Sequence, residues 1–148
     1  IVGDGPLLNR YKNLAAKLKI INVNWLGNIS HDQVFHNLKD SDALVHTSIK
    51  EATSAVVLEA LTHGLPVICH DAFGMSYAVD ETCGLKIPLQ SPSKSINGFY
   101  NSINLLSMNN SLLQKLKKGA IVRSNELSWK SMAETIARDY NEIHLENR

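Results

Sequence analysis

The chain has 148 residues, 44% of them hydrophobic and 20% charged, which is the make-up of one ordinary folded domain and excludes disordered and collagen-like classes. Its formal net charge of +1, with lysines scattered rather than gathered into a run, leaves no electrostatic footprint for a nucleic acid, and no such partner is expected.

In chain order, Ile1-Val2 reads as the end of a buried strand, and Gly3-Asp4-Gly5-Pro6 turns into a helix on which Leu7, Tyr11, Leu14, Ala15 and Leu18 recur at helical spacing. A short strand is predicted over Val23 to Leu26, stopped by Gly27. Ser30 and Asp32 are candidate caps for a helix that buries Val34, Phe35 and Leu38, and the apolar run Ala43 to His46 is the next strand. Thr53 or Ser54 caps a helix running to His63, Gly64 closes it, and Pro66 to Cys69 forms a fourth strand. Leu85 to Ile87 is a fifth. Beyond Pro88 the pattern turns helical, over Ser93 to Met108, Ser111 to Ser124 and Trp129 to Leu145.

Short apolar strands, each followed by a helix, predict a parallel sheet covered on both faces: a doubly wound, Rossmann-like α/β domain over residues 1–148, with helices at its C-terminus. The chain starts in mid-strand at Ile1 without an initiator methionine and reads as a piece of a longer protein. Cys69 and Cys83 do not form a C-x-x-C pair, so reduced thiols in a cytoplasmic protein are expected rather than a zinc knuckle or a disulfide framework. No apolar stretch approaches bilayer length, and nothing at the start resembles a signal peptide.

This architecture directs chemistry to one edge. In an open parallel sheet, ligands bind beyond the carboxyl ends of the strands, where helix N-termini present unpaired N–H groups. Glu51 falls in the loop after the Ala43 strand, and the helix starting near Ser54 offers the amides of Ser54, Ala55 and Val56 to an anion. Glu59 lies between one and two turns further in, where a carboxylate can accept hydrogen bonds from both hydroxyls of a ribose. Taken singly, a glutamate in a loop or an early helical turn is usually solvated and worth well under ~1 kcal/mol. The ordered pattern E-x7-E-A-L-x-x-G-L-P-V-I is what sets this pair apart.

Other candidates are weaker. His46 and His70 lack the spacing of a metal site and read as packing or loop residues, so no metal is expected. Cys69 reads as a small buried hydrophobe, and Gly3-Asp4-Gly5 lacks the third glycine of a dinucleotide fingerprint. Ser48 and Ser54 have no G-x-S-x-G context for hydrolase chemistry. Trp25 and Trp129 read as core or interdomain packing, and Tyr77 as a loop aromatic.

The E-x7-E segment resembles the signature of the retaining GT-B glycosyltransferases of group 1, also called family 4. "IVGDGP" looks like the strand and G-x-G-P turn of that family, and "VNWLGNISHDQVFHNLKDSDALVHTS" like its F-L-G...A-D-V-F-V-x-P-S segment. "CGLKIPL" is similar to its T-G-x-L-V-P strand, and "SWKSMAETIARDYNEI" to its closing helix. The resemblance implies the C-terminal, donor-binding half of a GT-B fold. Glu51 would contact the transferred sugar, and Glu59 would hold the ribose. Amides of Ala52, Thr53, Ser54, Ala55 and Val56 would serve sugar hydroxyls and diphosphate, with Gly3, Gly27 and Asn28 near the nucleoside. It also implies a UDP- or GDP-type sugar donor as substrate, no further cofactor, and a glycan or lipid-linked acceptor held by an N-terminal domain, with peripheral membrane contact of the full-length protein left open. The isolated chain is expected to be inactive. Where the family has E-G-F-G this chain has Glu51-Ala52-Thr53-Ser54, so the donor sugar is not carried over, and the diphosphate-binding Arg and Lys of the family would precede Ile1. The alternatives are a nucleotide-sugar 2-epimerase of similar fold and a non-catalytic nucleotide-binding or scaffolding module.

Overall fold

The computed structural model describes residues 1–52 and 54–146, and the chain divides into two compact units, residues 1–39 and 40–148. The first unit contains α1 (Leu8–Lys17) and α2 (His31–Lys39). The two strands predicted here shrink to one parallel bridge between Val2 and Gly27. The amide of Leu26 donates to the Ile1 carbonyl at 2.9 Å and that of Gly3 to the Gly27 carbonyl at 2.7 Å. A pair this short, with Ile1 62% and Val2 49% exposed, lacks the buried faces that sustain a parallel ladder. Likewise the apolar stripe of α1 exists as spacing but not as burial, since the helix buries none of its residues. α2 opens on a capping box: the Ser30 hydroxyl accepts from the Gln33 amide, and Gln33 Oε1 accepts from the Ser30 amide at 2.9 Å. Of its three predicted core residues, Leu38 is buried while Val34 and Phe35 are half-buried.

The second unit is a three-stranded parallel sheet, β1 (Leu44–His46), β2 (Val67–Asp71) and β3 (Gly84–Pro88), in that spatial order. With it come α3 (Ala55–Thr62), α4 (Phe73–Ala78), α5 (Pro92–Met108), α6 (Asn110–Glu126) and α7 (Trp129–Glu146). Facing residues of neighbouring strands share a side of the sheet. The register therefore puts His46, Cys69 and Lys86 in one row, on the side packed by α3 and α4. Val45, Ile68 and Leu85 form a row on the opposite side, where Ile68, Ile87, Leu106 and Leu116 make a buried cluster under α5 and α6. Helices on both faces make this the doubly wound, Rossmann-like α/β fold.

α3 is apolar on most of its circumference and buries Val57, Ala60 and Leu61. It ends in a Schellman motif: Leu65 N–H donates to the Ala60 carbonyl and Gly64 N–H to the Leu61 carbonyl, both at 2.9 Å, with Gly64 at φ +69°. α4 has no counterpart among the predicted elements, and Tyr77 belongs to it rather than to a loop. Arg123 of α6 satisfies its last carbonyls, donating to Tyr77 O at 2.5 Å and Ala78 O at 3.2 Å, with the guanidinium 5.4 Å from the Tyr77 ring centroid. Trp129 is 89% exposed and is not a core residue.

α6 has one further consequence for function. Its Lys117 Nζ lies 2.7 Å from Asp42 Oδ1, just before β1; its Ile121 lies against Gly64, before β2; and its Gly119 meets Thr82, before β3. One helix thus runs across the amino ends of all three strands. The carboxyl ends face the other way, among the loops.

Candidate functional site

β1 delivers its last residue, His46, to the carboxyl edge of the sheet, on the side of α3. Five residues on, in the loop, Glu51 turns back so that His46 Nε2–H donates to Glu51 Oε2 at 2.8 Å. The imidazole is 14% exposed and the carboxylate 39%, so the histidine is the fixed partner and the glutamate the one open to solvent. The chain then enters α3 with Ser54 at the N-cap, buried and extended (φ −96°, ψ 115°). Its hydroxyl makes no capping hydrogen bond, and its carbonyl accepts from Val57 N–H at 3.1 Å. In a helix beginning at Ala55, the Ala55 and Val56 amides have no intrahelical acceptor, and the positive end of the dipole points with them toward the edge. Ala52 and Ala55 are exposed and Val56 half-buried, whereas Thr53 lies outside the described residues. Glu59 is the fifth residue of α3 and half-buried; its carbonyl is taken by the hydroxyl of Thr62 at 2.7 Å and by His63 Nδ1–H at 2.8 Å.

The same row of the sheet continues into a polar group that the sequence did not announce. Lys86 Nζ lies 3.3 Å from Asp71 Oδ1 and donates to the Ser76 carbonyl at 3.1 Å, while the Ser76 hydroxyl donates to Asp71 at 2.8 Å. The Ser76 hydroxyl and the Lys86 ammonium hold the Asp71 carboxyl below its usual range. After Asp71 the backbone passes through Phe73 at φ +52°, a left-handed conformation that a bulky residue seldom adopts.

His70 is a packing residue, as expected: it is buried, stacks edge-on against Phe99 with centroids 5.1 Å apart, and approaches the Ile87 carbonyl through Nδ1 at 3.4 Å. Cys69 is fully buried, and burial pushes its thiol up to about 11. His46 departs from its expected reading. It is the final residue of β1 and is hydrogen-bonded to Glu51 five positions on, a contact that its lack of metal-site spacing did not address. Two grooves of about 620 and 650 Å³ involve Val45, Ile68, His70 and Ile103 on the α5 side, so neither contains Glu51 or Glu59. No cluster of three metal-ligating side chains occurs among the described residues. In the first unit, Gly3 (φ +119°) and Gly27 (φ +66°) are joined by their backbone hydrogen bond, and Asn28 follows, exposed.

A parallel sheet wound on both faces, with a carboxylate and a helix N-terminus at the carboxyl edge, defines the class of Rossmann-like α/β domains that take ligands at that edge. The chain belongs to the glycosyl transferases group 1 family, whose sequence pattern matches residues 1–123. No curated protein matches the chain by sequence. Among solved structures it is similar to the sucrose-phosphate synthase of Thermosynechococcus elongatus, with a TM-score of 0.75 and 23% identity over 98% of this chain and 38% of that one. The pneumococcal O-GlcNAc transferase GtfA, in complex with UDP and GlcNAc, gives a TM-score of 0.77 and 19% identity over 97% of this chain and 29% of that one. Anabaena HepE, in complex with UDP and glucose, gives 0.72 and 22% over 95% and 39%. These likenesses establish the shared fold, and this chain spans well under half the length of each of the three proteins. No helix among the described residues is long and apolar enough to cross a membrane.

Proposed function

We propose that this chain is the donor-binding, C-terminal half of a retaining GT-B glycosyltransferase that moves a hexose from a nucleoside diphosphate sugar to a glycan or lipid-linked acceptor. The observation that carries the reading is the placement of Glu51 at the carboxyl edge of β1, beside the N-terminus of α3. Such a reaction must stabilise a sugar that gains positive charge while a nucleoside diphosphate leaves. Glu51 is the carboxylate assigned to the sugar. The amides at the start of α3, from Ala52 to Val56, are assigned to sugar hydroxyls and diphosphate, and Glu59 to the ribose. Gly3, Gly27 and Asn28 are assigned to the nucleoside. UDP is the favoured nucleotide because GtfA and HepE were both crystallised with it. The diphosphate-binding cations and the acceptor wall belong to the rest of the protein, so this chain alone performs no transfer. No cofactor is assigned to the reaction beyond the nucleotide-sugar donor and the acceptor.

The experiment is kinetic and uses the full-length protein with whichever of UDP-glucose, UDP-N-acetylglucosamine or GDP-mannose it turns over. Glu59 would contact a part of the donor that does not change during reaction, so Glu59→Ala should raise the donor KM and weaken nucleotide binding. Glu51→Gln keeps the shape and removes the charge; it should lower kcat about 10²-fold while nucleoside diphosphate binding stays nearly intact. Equal small effects at both positions, or losses that only track thermal stability, would overturn the assignment.

A further inference from the structure

We infer that His46 is a positioning residue for Glu51, holding its carboxylate by the Nε2–H···Oε2 hydrogen bond so that a loop residue presents a fixed charge to the sugar. This rests on the reading of Glu51 given above. Glu51 sits in an irregular loop with its side chain substantially in solvent, where a glutamate ordinarily samples many rotamers. His46 is anchored differently. Its backbone is locked into the ladder opposite Cys69 of the central strand, and its ring is largely covered. A short, two-torsion side chain on a strand is a more exact support than anything the loop supplies. Because an ionised carboxylate only accepts, the geometry requires the proton on Nε2. This bond occupies one of several acceptor positions on the carboxylate, so Glu51 retains capacity for a sugar hydroxyl.

A partly exposed pair with no functional role would leave kcat unchanged when broken, because such contacts contribute little to stability. The test therefore asks for coupling rather than for damage. In the full-length protein, with the donor it turns over, four variants are compared: His46→Leu, which keeps bulk but has no donor; His46→Gln, which keeps an N–H; Glu51→Gln; and the double variant His46→Leu with Glu51→Gln. His46→Leu should lower kcat by about 10-fold or more, the scale of a lost charge-assisted hydrogen bond, with UDP binding by calorimetry unchanged within about twofold. His46→Gln should recover most of the rate. Added to Glu51→Gln, the leucine substitution should cost less than about twofold, because the charge it served is already gone. Should His46→Leu fail to fold, His46→Ala takes its place in the cycle. If Glu51→Gln is impaired but the histidine variants are not, or if the two losses multiply, this inference falls and the assignment of Glu51 stands. A fully active Glu51→Gln protein would overturn both.

Discussion

The two cysteines and Asp80 show how single groups tie this fold to pH. Burial pushes the thiols of Cys69 and Cys83 up to about 11, and both are fully buried. A raised thiol pKa favours the folded state up to the pKa of the unfolded chain, near ~8.5, and that advantage is lost as pH climbs toward the folded value. Asp80 behaves oppositely. Burial works to raise its pKa, but the hydroxyl and amide of Thr82, the Cys83 thiol and the Arg123 guanidinium outweigh it and hold the carboxyl below its usual range. A depressed carboxyl stabilises the fold above about pH 4 and ceases to do so as pH falls through the lower, folded value. The urea midpoint should therefore be flat from pH 5 to 8 and fall on either side. Asp80→Asn should make the acid limb shallower, leaving the share that the likewise depressed Asp71 contributes, and leave the alkaline limb alone; an unchanged acid limb would show that Asp80 does not drive it. At pH 8, iodoacetamide should label neither cysteine until the chain is unfolded.

At the level of elements, close approach decides more than propensity. A Cβ on Gly119, within α6, would stand 1.9 Å from the carbonyl oxygen of Thr82, and one on Gly98 would stand 2.4 Å from Ile87 Cγ2. Gly119→Ala ought to help a helix by about 1 kcal/mol on propensity alone. Here it should instead destabilise by about 2–4 kcal/mol, because backbone must move to admit one methyl. Gly5→Ala, with nothing within 4 Å of the added atom, is the control and should stay within about 0.5 kcal/mol. Chemical denaturation of both variants checks this, and equal effects would mean that α6 does not seat against the strand starts. None of this close packing was legible in the sequence, since it joins Gly119 to Thr82 and Gly98 to Ile87 across the chain. What was legible was local: the apolar runs of β1, β2 and β3, the Gly64 terminator of α3, and the helical spacing of α5, expected from Ser93 and found from Pro92, where the Ser91 hydroxyl accepts from Lys94 N–H. α4 escaped notice because it is only six residues long, contains Gly74 and opens without a side-chain cap on a left-handed Phe73. The predicted strand at Val23 to Leu26 failed for the opposite reason: its pattern was adequate, but a strand is made by its neighbours. The loop carboxylate was visible as a motif, and its tie to His46 was not, because the path of a loop is written in no periodicity.

On the scale of the whole molecule, the two ends of the sheet have different duties. α6 ties down the amino ends through Asp42, Gly64 and Thr82, while the carboxyl ends carry Glu51, the α3 amides and the Asp71–Lys86 pair. If the diphosphate-binding cations lie elsewhere in the protein, as proposed, this chain alone offers the diphosphate its helix amides without them. Each charge-assisted phosphate bond is worth about 1.5–3 kcal/mol, so the isolated chain should bind UDP only weakly, with a Kd of about 1 μM or higher. The full-length protein should bind it at least about tenfold more tightly. Submicromolar binding by the isolated chain in a calorimetric titration would overturn that division of labour.

The helix laid across the strand starts has a bearing on how such a protein can change over generations. Rigidity is invested at one end of the sheet, where Gly119 meets Thr82 with no room for an added atom, and the loop after β1, described over residues 47–52, hangs from the other. Variation at its exposed positions, such as Ala52, is thereby largely uncoupled from folding. If that loop meets the donor as proposed, a lineage can try new residues where Ala52 now stands, and so drift toward a different sugar, without first acquiring the compensating mutations that a loss of stability would demand.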